Sequence, residues 1–206
     1  MILKNDGCRS KCIYLILLAL IVVMTAITTI PVSAGTEKKE HTKDTTGYIY
    51  IGDSRFVGMN SACDIDSNSN AFVIAKIGEG YEYLKYTAEG KMGDIISGHP
   101  EYDEWKIIIC LGVNDLGNVK KYKEEFKNLA LKEDLYVVSV NPVECHDYIS
   151  NDMISSFNRE ISSVANIHYI DSYSELMNSG FSTVDGLHYT MDTYKKIYNL
   201  INKNLS

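Results

Sequence analysis

Three short stretches hold side chains able to carry nucleophilic chemistry at an acyl carbon: Gly52-Asp53-Ser54, Gly112-Val113-Asn114-Asp115 and Asp185-Gly186-Leu187-His188. A serine hydroxyl is a weak nucleophile until a nearby base takes its proton, and the base works best when a third group fixes its tautomer. Ser54 is the candidate nucleophile and His188 the candidate base. Asp185, three residues before that histidine, can reach the far ring nitrogen. Charge developing on a tetrahedral intermediate then needs donors. The backbone N–H groups of Ser54 and Gly80 and the side-chain amide of Asn114 can supply them from three loops, each worth about 3 kcal/mol of barrier. Singly, each block has a plainer reading: a turn and helix cap for GDS, a loop contact for Asp-x-x-His, a turn for Gly78 and Gly80.

These residues need a frame that brings distant loops together. Tyr48–Ile51 reads as a β-strand broken by Gly52, with Asp53 and Ser54 capping a helix over Arg55–Ala62 that turns Phe56, Val57 and Met59 inward. Ala71–Ile77 reads as a second strand running into Gly78-Glu79-Gly80. A helix over Tyr81–Thr87 follows, then a glycine-rich loop over Gly90–Pro100. Lys106–Leu111 is a continuously apolar central strand. Beyond it Asp115 is expected to cap an amphipathic helix carrying Val119, Tyr122, Phe126 and Leu129. Leu135–Val140 ends at Asn141-Pro142. Ser150 caps a helix with the apolar line Met153, Ile154, Phe157, Ile161 and Val164. Ile167–Ile170 is a fifth short strand, a polar loop follows, and Met191–Asn204 is the last helix. Strands alternating with helices indicate a parallel sheet covered on both faces, whose ligand site lies beyond the carboxyl ends of the strands. Every chemical block falls at such an end.

The first 34 residues stand apart. Lys4, Arg9 and Lys11 precede Ile13–Ile30, 18 residues without a charge, and Val32-Ser33-Ala34 has the small residues of a cleavage site. This predicts a secretory signal or an uncleaved membrane anchor, with residues 35–46 as a polar linker and residues 47–206 as the domain, placed outside the cytoplasmic membrane. Beyond residue 34 the chain carries 17 Lys and Arg against 26 Asp and Glu, a balance unsuited to nucleic acid or to anionic lipid. Cys63, Cys110 and Cys145 form no disulfide framework, although a Cys63–Cys145 bridge is an open option. The five histidines are scattered without ligand spacing, and Asp64–Asn70 has serine where a calcium loop needs glycine. No metal or other cofactor is expected.

GDS near the domain start, a glycine after the second strand, GxND after the third and DxxH near the end together resemble the SGNH (GDSL-type) hydrolase family, across essentially all of residues 47–206. The GxSxG elbow of the α/β-hydrolases is missing, in keeping with that resemblance. It implies an α/β fold, a flavodoxin-like three-layer α/β/α sandwich with a mostly five-stranded parallel sheet, and esterase or acyl-transfer chemistry without a metal. It casts Ser54 as nucleophile and first oxyanion donor, Gly80 as the second donor and Asn114 as the third. Asp185 orients the base, His188. Two positions depart from the family pattern. Ala75-Lys76-Ile77-Gly78-Glu79-Gly80 stands where an asparagine usually precedes the glycines, which leaves Gly78 as the other possible donor. Arg55 stands where many members carry a small residue or leucine, and can meet an anionic substrate or pair with Asp53 or Glu79. Substrate-lining positions are expected at Arg55, Gly78, Tyr81, Asn141 and Tyr189. A chain with no room for a lid suits short acyl groups such as acetyl. The expectation is therefore an exported or envelope-anchored esterase acting on acylated carbohydrate. The rival readings are an O-acyltransferase for a surface polysaccharide and a non-catalytic glycan-binding module.

Overall fold

Alternation along the strands decides how the sheet is covered. In β1 (Thr46–Gly52), Ile49 and Ile51 bury on one face and Tyr50 on the other; in β3 (Glu104–Cys110), Ile107 and Ile109 oppose Ile108. A strand apolar on both sides requires a helical layer on each. Together with β2 (Ala71–Ala75), β4 (Asp134–Val138) and β5 (His168–Ile170) they build a five-stranded sheet. All pairings are parallel, in the order β2-β1-β3-β4-β5. This is the flavodoxin-like order, with its topological switch beside β1. The computed structural model describes residues 45–206. The expected signal or anchor over residues 1–34 and nearly all of the expected linker lie outside the described residues. Among those described, no helix is long and apolar enough to cross a membrane.

One face of the sheet carries a helical run that starts at α2 (Tyr81–Tyr83), passes through a π turn (Leu84–Ala88) and continues as α3 (Glu89–Gly98). Beside it lie α4 (Val119–Leu129) and α5 (Asn151–Ile161). The other face carries α1 (Ser54–Cys63), α6 (Ser172–Ser179) and α7 (Met191–Leu205). The loop expected over Gly90–Pro100 is thus helical as far as Gly98. Leu84, Ala88 and Met92, four residues apart, are buried and hold the helix to the sheet. Gly90, Gly93 and Gly98 all face open space. The polar loop expected before DGLH contains α6, capped by Asp171, whose carboxylate accepts from Ser174 N at 3.0 Å.

Two expected inward residues point elsewhere. Val57 is only half-buried and Arg55 is buried in α1 instead; Met153 is 49 % exposed, and Asn158 takes an inward place on α5. The Asn158 amide pairs with both backbone groups of Val140 at 2.8 Å, extending the hydrogen bonding beyond the end of β4. Cys63, Cys110 and Cys145 are free thiols, so the optional bridge is not formed.

Candidate active site

Register brings the loops together. Gly52 is aligned with Ala75 of β2 and with Cys110 of β3, so the chains leaving β1, β2 and β3 start side by side. Asp53 caps α1, its carboxylate accepting from Arg55 N at 2.9 Å, and Ser54 is the first helical residue. A residue in that place has a backbone N–H with no acceptor inside the helix, directed toward whatever lies beyond the helix end. Asn114, exposed after β3, donates from Nδ2 to the Glu79 carbonyl at 2.8 Å, which ties its loop to the peptide preceding Gly80.

Asp115 does not cap the helix that follows it. It reaches across to the loop after β2. Its Oδ2 accepts from Tyr81 N at 2.8 Å and Asn118 Nδ2 at 3.0 Å, and its Oδ1 from the Tyr122 hydroxyl at 2.8 Å. A Cβ at Gly80 would lie 2.5 Å from that carboxylate, so only glycine allows the approach. Gly78 lies in an exposed turn at φ +79°.

The 185–188 loop arrives from the far side of the sheet. The Asp185 carboxylate accepts from Leu187 N at 3.0 Å and His188 N at 2.7 Å, and meets His188 Nδ1 at 2.7 Å. His188 Nε2 is 2.9 Å from Ser54 Oγ. The His188 backbone N–H first, and then its ring, hold the Asp185 carboxyl well below the usual carboxylate range. An ionised carboxylate can only accept, so Nδ1 carries the ring proton and the Nε2 lone pair is presented to the serine hydroxyl. The loop is packed in place through Gly186, at φ +86°, where a Cβ would sit 2.1 Å from the Cys145 carbonyl. Glu144 N donates to the Gly186 carbonyl at 3.0 Å. Under the site, burial pushes the Asp53 carboxyl up to about 6, against the opposing pull of the Arg55 N–H and guanidinium. Burial also raises the Cys110 thiol.

The structure thus brings Ser54, Asp185 and His188 into one hydrogen-bonded line and ties the Asn114 and Gly80 loops together. The positions expected to line substrate fare differently. Tyr189 is buried, its hydroxyl donating to the Pro142 carbonyl, because the chain turns inward straight after His188. Arg55 is buried as well. Tyr81 meets the Tyr122 ring in an edge-to-face contact and directs its hydroxyl to Glu125, toward α4. Asn141 Oδ1 accepts from Ser172 Oγ at 2.6 Å, within the protein. What lies beside Asn114 instead is a groove of about 380 Å³ bounded by Leu116, His146, Tyr148, Ile149 and Leu187. Tyr148 is 84 % exposed there. Residues 146–149 carry no periodicity or motif, so no sequence signal marks them. Among the described residues no cluster of His, Cys, Asp and Glu could hold a metal ion.

No protein-family model and no curated protein matches the sequence. Solved structures do. A lipolytic protein of the G-D-S-L family from Veillonella parvula superposes with a TM-score of 0.62 at 16 % identity, over 77 % of this chain and 97 % of that one. The C-terminal catalytic domain of peptidoglycan O-acetyltransferase A from Streptococcus pneumoniae, in a methylsulfonyl adduct, gives 0.55 at 18 % identity, over 78 % and 92 %. A Slackia heliotrinireducens protein assigned to the SGNH hydrolases gives 0.59 at 10 % identity, over 78 % and 99 %. In sheet order, layering and backbone course, this chain has the fold of the SGNH (GDSL-type) hydrolases.

Proposed function

We propose that the protein is a serine esterase that works through an acyl-enzyme. The observation that carries this reading is the line Asp185 Oδ2–His188 Nδ1, 2.7 Å, and His188 Nε2–Ser54 Oγ, 2.9 Å. As Ser54 Oγ attacks the ester carbonyl, its proton passes to His188 Nε2. The ionised Asp185 stabilises the imidazolium that forms. The carbonyl oxygen takes up the negative charge, with the N–H groups of Ser54 and Gly80 and the Asn114 amide as its donors. Collapse of the tetrahedral intermediate breaks the ester C–O bond, and the imidazolium returns its proton to the departing alcohol. Water then repeats the sequence on the acyl-enzyme, freeing the acid and Ser54.

A short acyl group such as acetyl on a carbohydrate is the substrate we favour. The groove beside Asn114 is open, and the exposed Tyr148 ring offers a flat apolar surface for a sugar face. The apolar, uncharged run of residues 13–30 supports action outside the cytoplasmic membrane. Delivery of the acyl group to a sugar hydroxyl instead of water is the second reading. It is favoured by the openness of the groove and the fold shared with the O-acetyltransferase domain. The test is fluorophosphonate labelling together with turnover of p-nitrophenyl acetate and octanoate. Wild type should label and prefer acetate; Ser54→Ala should do neither, and His188→Ala should lose at least about 10³-fold in rate. Labelling that survives Ser54→Ala overturns the esterase assignment, and preference for octanoate overturns the short-acyl one. Acetylated sugar in place of free acetate, when oligosaccharide is supplied, selects transfer.

A further inference from the structure

Arg55 directly follows the nucleophile, yet its side chain turns into the protein. It is only 8 % exposed. Nε donates to the Leu187 carbonyl at 3.1 Å and Nη1 to the Asn141 carbonyl at 2.7 Å. The guanidinium carbon lies 5.1 Å from the centre of the Tyr189 ring. Leu187 and Tyr189 are the two neighbours of His188 in the chain. One side chain thus grips the base's loop on both sides of the base, from a backbone position adjacent to the hydroxyl that the base must reach. Asn141, in the loop after β4, gives the clamp a third point.

This placement suits arginine alone. Its planar fork directs Nε and Nη1 to two separate carbonyls while the face of the same plane lies on an aromatic ring; an ammonium offers one centre and no plane. Burial of a cation is costly, and an apolar side chain of similar volume would avoid that cost but leave the Leu187 and Asn141 carbonyls without these donors. What an apolar residue could not do is hold Leu187 by its carbonyl. Arg55 does not line the groove beside Asn114; it borders a separate cavity of about 30 Å³ with Asp53, Val113, Ser139 and Asn141, where its Nη2 has no hydrogen-bond partner among the described residues.

We propose that Arg55 is a positioning residue: it fixes the 187–189 segment so that His188 Nε2 stays in line with Ser54 Oγ. The proposal rests on the esterase reading. It is tested with Arg55→Ala, Arg55→Leu and Arg55→Lys, each also combined with His188→Ala, by steady-state turnover of p-nitrophenyl acetate and by thermal unfolding. Loss of alignment by about 1 Å costs on the order of 100-fold, so kcat should fall by about that factor in Arg55→Ala and Arg55→Leu, with KM within about twofold. Arg55→Lys should recover less than a tenth of the loss. Guanidinium ion at tens of millimolar should restore Arg55→Ala severalfold while leaving wild type unchanged. In the His188→Ala background the Arg55 substitutions should cost almost nothing further, because a clamp that acts through the imidazole has nothing left to align. A rise in KM with kcat retained would show that Arg55 reads the substrate and would overturn the proposal. So would a loss that is undiminished without His188, or one that follows the unfolded fraction and resists guanidinium. Arg55→Leu keeps the buried volume, so the experiment stands even where Arg55→Ala unfolds. Persistence of turnover in Ser54→Ala would instead overturn the esterase reading itself.

Discussion

Asp53 shows how a single buried carboxyl can serve geometry at a cost in stability. It caps α1 and so orients Ser54, but burial lifts its carboxyl from an ordinary 3.8 to about 6. The folded protein therefore holds this proton more tightly than the unfolded chain does. The group's favourable contribution is fully present below about pH 4 and is lost as pH rises through about 6. Asp53→Asn keeps an oxygen for the Arg55 N–H and has no charge to bury. It should be more stable than wild type by roughly 2–3 kcal/mol at pH 8, two units at 1.36 kcal/mol each, and by little at pH 4. Urea unfolding at the two pH values checks this, and an equal difference at both would contradict it. The cap itself was legible from a Gly-Asp-Ser run after an apolar strand. The burial of Arg55 was not, because nothing in a sequence says that Leu187, Asn141 and Tyr189 will surround position 55.

Helix starts and loop contacts form the next scale up. The α2 start, just after Gly80, is pinned by Asp115, which accepts from Tyr81 N, Asn118 and Tyr122. Asp115→Ala would leave these donors without an acceptor, at about 1–3 kcal/mol for each that stays buried. It should reduce stability by a few kcal/mol and also lower kcat by roughly tenfold through a loosened Gly80 N–H, with KM nearly unchanged. Kinetics below the unfolding transition separate the two effects; unchanged kcat would detach Asp115 from the oxyanion donors. The strands could be read because β1, β3 and β4 are apolar runs with the length of buried strands, while β2 and the short β5 continue the alternation with helices. α3 could not, since three glycines mask a helix in which Met92 alone is buried, continuing a line set by Leu84 and Ala88 in the preceding π turn. α6 buries only Ser172 and Leu176 and has no stripe to find. Asp115 was legible as a capping residue type, but the backbone N–H its carboxylate accepts from is that of Tyr81, after β2, while the carboxylate meets its own helix only through the side chains of Asn118 and Tyr122.

At the scale of the whole domain, the carboxyl edge of the sheet gathers Ser54, Asp185, His188 and the loops of Gly80 and Asn114, and the groove bounded by Leu116, Tyr148 and Leu187 lies beside Asn114. Removing the exposed ring by Tyr148→Ala should raise KM for an acetylated oligosaccharide about tenfold and leave p-nitrophenyl acetate turnover unaffected. Parallel loss on both substrates would assign Tyr148 to the fold instead. Parallel strands also give the domain a direction. The described chain enters β1 at Thr46, paired with Glu104 at the amino edge, and Ser54 stands beyond the opposite end, about 20 Å away at some 3.3 Å per residue. Attachment to a surface through the residue that enters β1 would therefore leave the reactive serine at the outward pole, open to polymer approaching from solution.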